Sequence, residues 1–503
     1  MVRIRSSFIG LFATVFAASC LGGPSSDRFG KTPPGGASPQ QDRQPPSRPF
    51  HPEQAALDEY LRALAHEYGF SGAVLVAEGD RVLVSAGYGF ADDDRGIPAS
   101  ADTRFAIASA TKPFTATALM LLVRDGRIDL SDPVCRYLRG CPRRWAGIRI
   151  ANLLDHTSGL ADRSPRSVDD RALAEVVSGL KREELLFPPG DDHTYANANY
   201  HLAGYIVEQV TGSSWPEFLE ARILSPLGLG RTTVDRVPAA TERAAVGYMT
   251  SLSPDGDRVP VTEAISDLAG HGTPNPDPAG GLISTVGDLH RFARSLDEAR
   301  VLPPALLRTM WTPTGPGRYG DYGLGWETFP QNGTRVVQHG GGMPGFSSCI
   351  SLYPREDLYV IVLSNVTESV ACEYIARDLG AIVLGQPYRV PDAPDPRRIP
   401  VGVLRTYVGV YRGGSSHTGP AVRIRLVDGR LEMRGLGVLG PPLNDASLLR
   451  PWSRTRFFNP HDPYVGITFD RRERHRAVAL VLHQPAYRRL PAGVERFRRT
   501  GRG

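Results

Sequence analysis

The chain has 503 residues, 41% of them hydrophobic and 22% charged, which excludes a disordered or fibrous polypeptide and leaves room for two domains and a large core. Its net charge of +5 is small but uneven: residues 401–503 hold nineteen Arg against seven Asp plus Glu, so they carry +12 and the remainder −7. That asymmetry fits a solvated Arg-rich surface on strands, or a face that meets anionic lipid or cell-wall polymer.

At the N-terminus, Arg3 and Arg5 precede an apolar run from Phe8 to Ala18 that is too short to span a bilayer. Residues 1–19 are therefore expected to be an export signal peptide. The run ends Ala17-Ala18-Ser19-Cys20, which resembles a bacterial lipobox, with Ala17 where that pattern prefers Leu. Lipidation of Cys20 is expected, with plain cleavage before it as the competing outcome. Residues 20–51 are rich in Pro, Gly, Ser and Gln and read as a tether. No other stretch is long and apolar enough to cross a membrane. The expected location is thus outside the cytoplasm, in the bacterial envelope (periplasm or outer surface), with membrane contact only through the N-terminal lipid.

A helix is predicted over 53–67, where Ala56, Leu57, Tyr60, Leu61 and Leu64 share a face. SGAVLVAEGDRVLVSAGYG (71–89) places two apolar runs around Gly79-Asp80, a hairpin signature. Helical patterns dominate from 110 to about 300, and strand character returns over 336–365. A helix over 367–384 would cover those strands. Distant strand segments with helices between them predict an α/β (α+β sandwich) domain, 52–386. Its antiparallel sheet would be built from N- and C-terminal segments, with helices on its faces and an all-helical insertion. Residues 387–400 read as a linker, and 401–503 as a small all-β, barrel-like domain. Cys135, Cys141, Cys349 and Cys372 are expected to pair by neighbours into two disulfides in an oxidising compartment, or else to stay as buried thiols.

The chemistry concentrates on FAIASATKPFTA (105–116). Only Lys31, Lys112 and Lys181 are lysines among 58 basic residues, and Lys112 follows Ser109 by three positions. Pro113 is tolerated only in a helix's first turn, and Phe114–Val123 is apolar all round. Ser109 is therefore expected at a helix N-terminus with the Lys112 amine within reach of its hydroxyl. Burial and the positive helix end both disfavour an ammonium, which suits Lys112 to take the serine proton. Two further stretches offer partners: Tyr195-Ala196-Asn197 at a loop end before a helix, and His339-Gly340-Gly341 on a strand. Each alone is also compatible with a purely structural role, as a cap and packed ring or as a turn.

Taken together and in order, Ser109-Ala110-Thr111-Lys112, Tyr195-Ala196-Asn197 and His339-Gly340-Gly341 resemble the three motifs of the serine β-lactamase and penicillin-binding-protein superfamily. The similarity is to the class C-like branch with D-alanyl-D-alanine carboxypeptidases, D-aminopeptidases and esterases. LLDHTSGL (153–160), PAGGLISTVGDL (278–289), YGLGWE (322–327) and HGGGMPGFSS (339–348) resemble it too. The resemblance implies an acyl-enzyme on Ser109, general-base work shared by Lys112 and Tyr195, and Asn197 positioning substrate and Lys112. It further implies His339, Gly341 and Gly342 at the substrate, with the Gly342 N–H joining that of Ser109 in an oxyanion hole. No metal or cofactor is implied.

The third motif of β-lactamases usually begins with lysine, so His339 predicts weak or absent β-lactam turnover. Gly340-x-Gly342-x-x-Gly345 fits a dinucleotide pattern, but FSSCISLY after it reads as strand, not helix. Gly-x-Ser-x-Gly and HExxH do not occur, and Asp191-Asp192 reads as a solvated pair. The expected function is an exported serine hydrolase acting on a D-amino-acid peptide, amide or ester, with carboxypeptidase-like action on peptidoglycan as one form of it. A binding or sensor protein using the same cleft without turnover is the alternative, and a β-lactamase or general carboxylesterase is a further one. No nucleic-acid partner is expected, and the oligomeric state is left open.

Overall fold

The computed structural model describes residues 52–161, 172–234, 244–250, 258–261, 277–316, 321–367, 372–388, 399–413, 421–436, 447–451, 454–459, 462–470, 479–483 and 494–501, all within the compact unit Phe50–Gly503. The segments expected to be a signal peptide and a tether, with Cys20, and most of the expected 387–400 linker lie outside the described residues.

The described chain opens with helix α1 (Pro52–Tyr68) and the hairpin β1 (Gly72–Glu78) and β2 (Arg81–Tyr88). Gly79 takes φ +56° at the turn, a conformation that favours glycine. The later strands are β3 (Gly315–Pro316), β4 (Asp321–Tyr322), β5 (Glu327–Gln331), β6 (Thr334–Met343), β7 (Phe346–Tyr353) and β8 (Leu358–Ser364). They form one eight-stranded sheet in the order β2-β1-β8-β7-β6-β5-β4-β3, antiparallel throughout. The N-terminal hairpin thus completes a sheet made mostly by the far end of the domain. Its central strands are apolar without alternation because both faces are covered. Ala73, Leu75, Ile361 and Leu363 enter the core on one face; Val74, Val76, Val360 and Val362 enter the core on the other, which includes residues of α1 and of helix α5 (Cys372–Val383).

Between β2 and β3 lie the helices that carry the site: α2 (Lys112–Arg124), α3 (Asn197–Thr211) and α4 (Val286–Asp297). Phe114 of α2 stacks on Phe292 of α4 at 3.7 Å between ring centres. The insertion is not wholly helical. Short strand pairs tie its loops together, among them Phe105–Ala106 with Ile283–Ser284, just ahead of Ser109. Pairs this short escape a reading of hydrophobic period, which needs several residues to declare itself.

The C-terminal sheet ends on the adjoining segments Ser447–Leu448 and Arg450–Pro451, which pair with opposite edges on either side of buried Leu449. It therefore curls into a barrel around Tyr407, Tyr411, Ile424, Phe457 and Phe469, and Tyr407 stacks on Phe469 at 4.3 Å.

Cys135 and Cys141 are joined, with S–S 2.02 Å. Cys349 and Cys372, for which a second bridge was the simplest expectation, are instead free and buried in the core shared by α1 and α5. Cys349 Sγ lies 3.3 Å from Ser351 Oγ, and burial raises both thiol pKa values.

Candidate active site

A short 3-10 turn, Ala108–Thr111, runs directly into α2, so Ser109 sits just before the helix and Lys112 begins it, followed by Pro113. Ala108, with φ +47°, enters the turn through a left-handed conformation that a non-glycine residue adopts at a cost. Ser109 is partly exposed, whereas Lys112 is fully buried. The Lys112 Nζ lies 3.0 Å from Ser109 Oγ, 2.7 Å from Asn197 Oδ1 and 2.8 Å from the Ala279 carbonyl oxygen. It also lies 4.8 Å from the Tyr195 ring centre and 5.5 Å from that of Tyr200. Sequence reasoning anticipated burial that disfavours the ammonium; these contacts oppose that burial. The chain thus buries an amine in direct contact with a serine hydroxyl and surrounds it with groups able to hold either protonation state.

Tyr195 and Asn197 come from the end of the loop that becomes α3. Tyr195 is 36% exposed, so its phenol can reach a ligand, while Asn197 starts the helix. His156, from LLDHTSGL, anchors this corner. Its Nδ1 accepts from the Asn199 amide at 3.0 Å and from the Ala196 N–H at 3.3 Å, and its ring lies 4.3 Å from that of Tyr195. With both donors on Nδ1, the imidazole proton resides on Nε2. Burial, with Lys112 nearby, lowers the His156 pKa and keeps the ring neutral.

The third motif lies on β6, where alternate residues face opposite sides. A side chain at Gly341 would place its Cβ 2.2 Å from the Ile107 carbonyl and 2.9 Å from the Ala110 nitrogen, so the strand backbone packs directly on the serine turn. At Gly340 it would meet Glu373 on the other face at 2.1 Å. Gly342 is exposed and has open space where a Cβ would stand. It directly follows the residue that packs on the serine turn.

His339 departs from expectation. It shares the face of Gly341 but is only 3% exposed. Its Nδ1 lies 2.7 Å from the Gly340 carbonyl and its Nε2 2.9 Å from the Tyr322 hydroxyl. A carbonyl only accepts, so Nδ1 carries the proton and Nε2 accepts from Tyr322. Both nitrogens are engaged inside the protein, and the ring is tied to the Gly340 carbonyl and the Tyr322 hydroxyl. Burial, reinforced by Lys112, lowers its pKa to about 3. The unfolded chain protonates this group near pH 6.5, so its contribution to stability is full above that pH and declines as pH falls toward 3. In urea melts, wild type should lose about 2 kcal/mol relative to His339→Gln between pH 6.5 and 4.5. Parallel acid profiles for the two proteins would contradict the assigned neutral state.

Ser109, Asn197 and Tyr195 thus meet around Lys112, Gly341 abuts the serine turn, and His339 is buried. The Ala279 carbonyl was missed because a main-chain acceptor has no residue type to betray it. His156 and Tyr322 lay in stretches already singled out, without assigned roles. Among the described residues, no cluster of His, Cys, Asp and Glu could hold a metal ion.

The family profile described as Beta-lactamase matches residues 57–384. Penicillin-binding protein 4* of Bacillus subtilis is 31% identical over 428 residues, covering 80% of this chain and 90% of that protein. The structure of D-amino acid amidase from Ochrobactrum anthropi superposes with TM-score 0.54 at 28% identity, covering 66% of this chain and 95% of the amidase. An octameric penicillin-binding protein homologue from Pyrococcus abyssi shares the fold at TM-score 0.58 and 22% identity, covering 88% of this chain and 99% of its own.

Proposed function

The chain belongs to the beta-lactamase family, and from that membership we propose an exported serine hydrolase that cleaves a D-amino-acid amide, peptide or ester through an acyl-enzyme. The observation that carries this reading is Lys112 Nζ at 3.0 Å from Ser109 Oγ and 2.7 Å from Asn197 Oδ1. Ser109 Oγ attacks the acyl carbon as Lys112 or the Tyr195 phenolate takes its proton. The same group returns the proton to the departing amine or alcohol, and water then releases the acyl group. The N–H groups of Ser109 and Gly342 receive the developing oxyanion.

Two observations favour an amide or ester over a substrate ending in a free carboxylate. His339, buried and neutral, offers no cation to such a group, and the amidase is among the structural relatives. The N-terminal signal and tether support a place in the bacterial envelope, consistent with similarity to a penicillin-binding protein.

The test is a panel of p-nitrophenyl esters, D-alanine p-nitroanilide, a tripeptide ending in D-Ala-D-Ala, and nitrocefin, with a fluorophosphonate to label the nucleophile. Label should fall on Ser109, with multiple turnovers of an ester or D-amino amide and nitrocefin turnover at least about a hundredfold slower. A wild-type protein that never takes the label would sink the enzyme reading. Labelling without turnover on any substrate would leave a binder that is acylated once.

A further inference from the structure

Behind Lys112 lies a histidine–carboxylate pair that the proposed mechanism does not use. His201 Nε2 is 2.9 Å from Asp277 Oδ1, with the His201 side chain 4% and the Asp277 side chain 23% exposed. His201 stands one helical turn after Asn197 on α3, so the two share a face. Asn197 grips Lys112 directly, while His201 grips the start of the turn that supplies another of the lysine's acceptors.

That turn is closely specified. Asp277 Oδ1 accepts from the Ala279 N–H at 2.7 Å, and its carbonyl accepts from the N–H groups of Gly280 at 3.1 Å and Gly281 at 2.7 Å. The resulting fold points the Ala279 carbonyl at Lys112 Nζ, 2.8 Å away. From α2, Thr115 Oγ1 donates to the Pro278 carbonyl at 2.7 Å. From α3, Gly204 lets Pro278 approach so closely that a Cβ there would lie 2.3 Å from its Cγ. The turn is wedged between the helix that bears the lysine and the helix that bears Asn197.

We propose that His201 and Asp277 are a positioning pair: His201 holds Asp277, which fixes the Ala279 carbonyl against Lys112 and brings a partly neutralised carboxylate to bear on the base. The proposal rests on the serine-hydrolase reading above. Burial opposes ionisation of Asp277, but His201, the Ala279 N–H and Lys112 outweigh it and hold its pKa below the ordinary carboxylate range. Other titratable groups near Lys112 among the described residues include Tyr195 and Tyr200, through their rings, and the neutral His156 and His339. The three variants below leave all four in place.

The two halves of the pair should move the base in opposite directions. Asp277→Asn keeps an acceptor for the Ala279 N–H but removes the negative charge. Whether the base is the Lys112 amine or the Tyr195 phenolate, its pKa falls: the ammonium loses a favourable field in the first case, and the phenolate is relieved of an unfavourable one in the second. The acidic limb of kcat/KM against pH should shift down by about half a unit to one unit. His201→Leu leaves the carboxylate unopposed, so the limb should shift up. The loosened turn should lower kcat about tenfold with KM changed less than about twofold. His201→Gln, which retains an N–H donor, should recover most of kcat and shift less than the leucine variant.

The experiment measures these pH profiles on the full chain with one ester and D-alanine p-nitroanilide, alongside fluorophosphonate labelling and thermal melts. Opposite displacements of the acidic limb support the pair. Unmoved limbs, displacements of the same sign, or a glutamine variant as impaired as the leucine overturn it, whatever the melts show. If the leucine variant does not fold, the shift in the near-isosteric Asp277→Asn decides the question alone. Wild type that labels and turns over while the variants keep its limb defeats this inference only; wild type that does not label defeats the hydrolase reading itself.

Discussion

Ser109→Ala should abolish fluorophosphonate labelling and lower kcat by at least about 10⁴-fold, and Lys112→Arg should come within about tenfold of the same loss. The serine loss follows from removal of the only atom placed to form the acyl bond in the proposed mechanism. The arginine loss is more informative, because charge is retained. Lys112 is fully buried and contacts Ser109 Oγ, Asn197 Oδ1 and the Ala279 carbonyl. A guanidinium could address some of these acceptors, but it does not release a proton near neutral pH, and its planar fork does not fit a site shaped around a single nitrogen. Because serine and lysine act as one unit, the double variant should be scarcely worse than either single one. Steady-state kinetics on the most rapidly cleaved ester, with labelling as a second readout, provides the measurement. If Lys112→Arg kept more than about a tenth of wild-type kcat, the lysine would be a charge and not a proton carrier.

The sequence carried those features of the site that depend on residue type and local period. Pro113 and the apolar run after it located a helix start, and the structure begins α2 at Lys112. Strand character after Gly345 argued against a dinucleotide site, and β7 occupies Phe346–Tyr353. Gly212 closes α3 at φ +78°, a left-handed cap that glycine favours. Three-dimensional depth was not legible. Period two puts His339 and Gly341 on one face of β6, yet no pattern says that Tyr322 would cover the first and the serine turn would abut the second. Cys349 and Cys372 carry the same lesson: four cysteines suggested two bridges, and packing left two of them as thiols in an apolar core. The closing segment of the barrel was also hidden, because its pairings are only two residues long on each side.

The consecutive glycines of the third motif should respond very differently to one added methyl group. At Gly341 the new Cβ would lie 2.2 Å from the Ile107 carbonyl, 2.5 Å from Ser348 Oγ and 2.9 Å from the Ala110 nitrogen. These atoms already hold one another: Ile107 accepts from Ser348 Oγ at 2.6 Å and from the Ala110 N–H at 3.1 Å. The clash therefore cannot be relieved by turning a flexible side chain, since two of the three atoms are backbone. Either β6 moves away or the turn bearing Ser109 does, and both motions spread the N–H groups of Ser109 and Gly342 that the mechanism needs together. Gly341→Ala should lower kcat by about 10² to 10³, the loss associated with one oxyanion donor, and destabilise the fold by about 1–3 kcal/mol. Gly342→Ala places its Cβ in open space, so its melting temperature should stay near that of wild type and its effect should depend on the bulk of the acyl group. Comparing the two variants by thermal melts and kcat separates contact with the nucleophile turn from mere loss of glycine. Equal behaviour at the two positions would mean that the strand does not abut Ser109 as described.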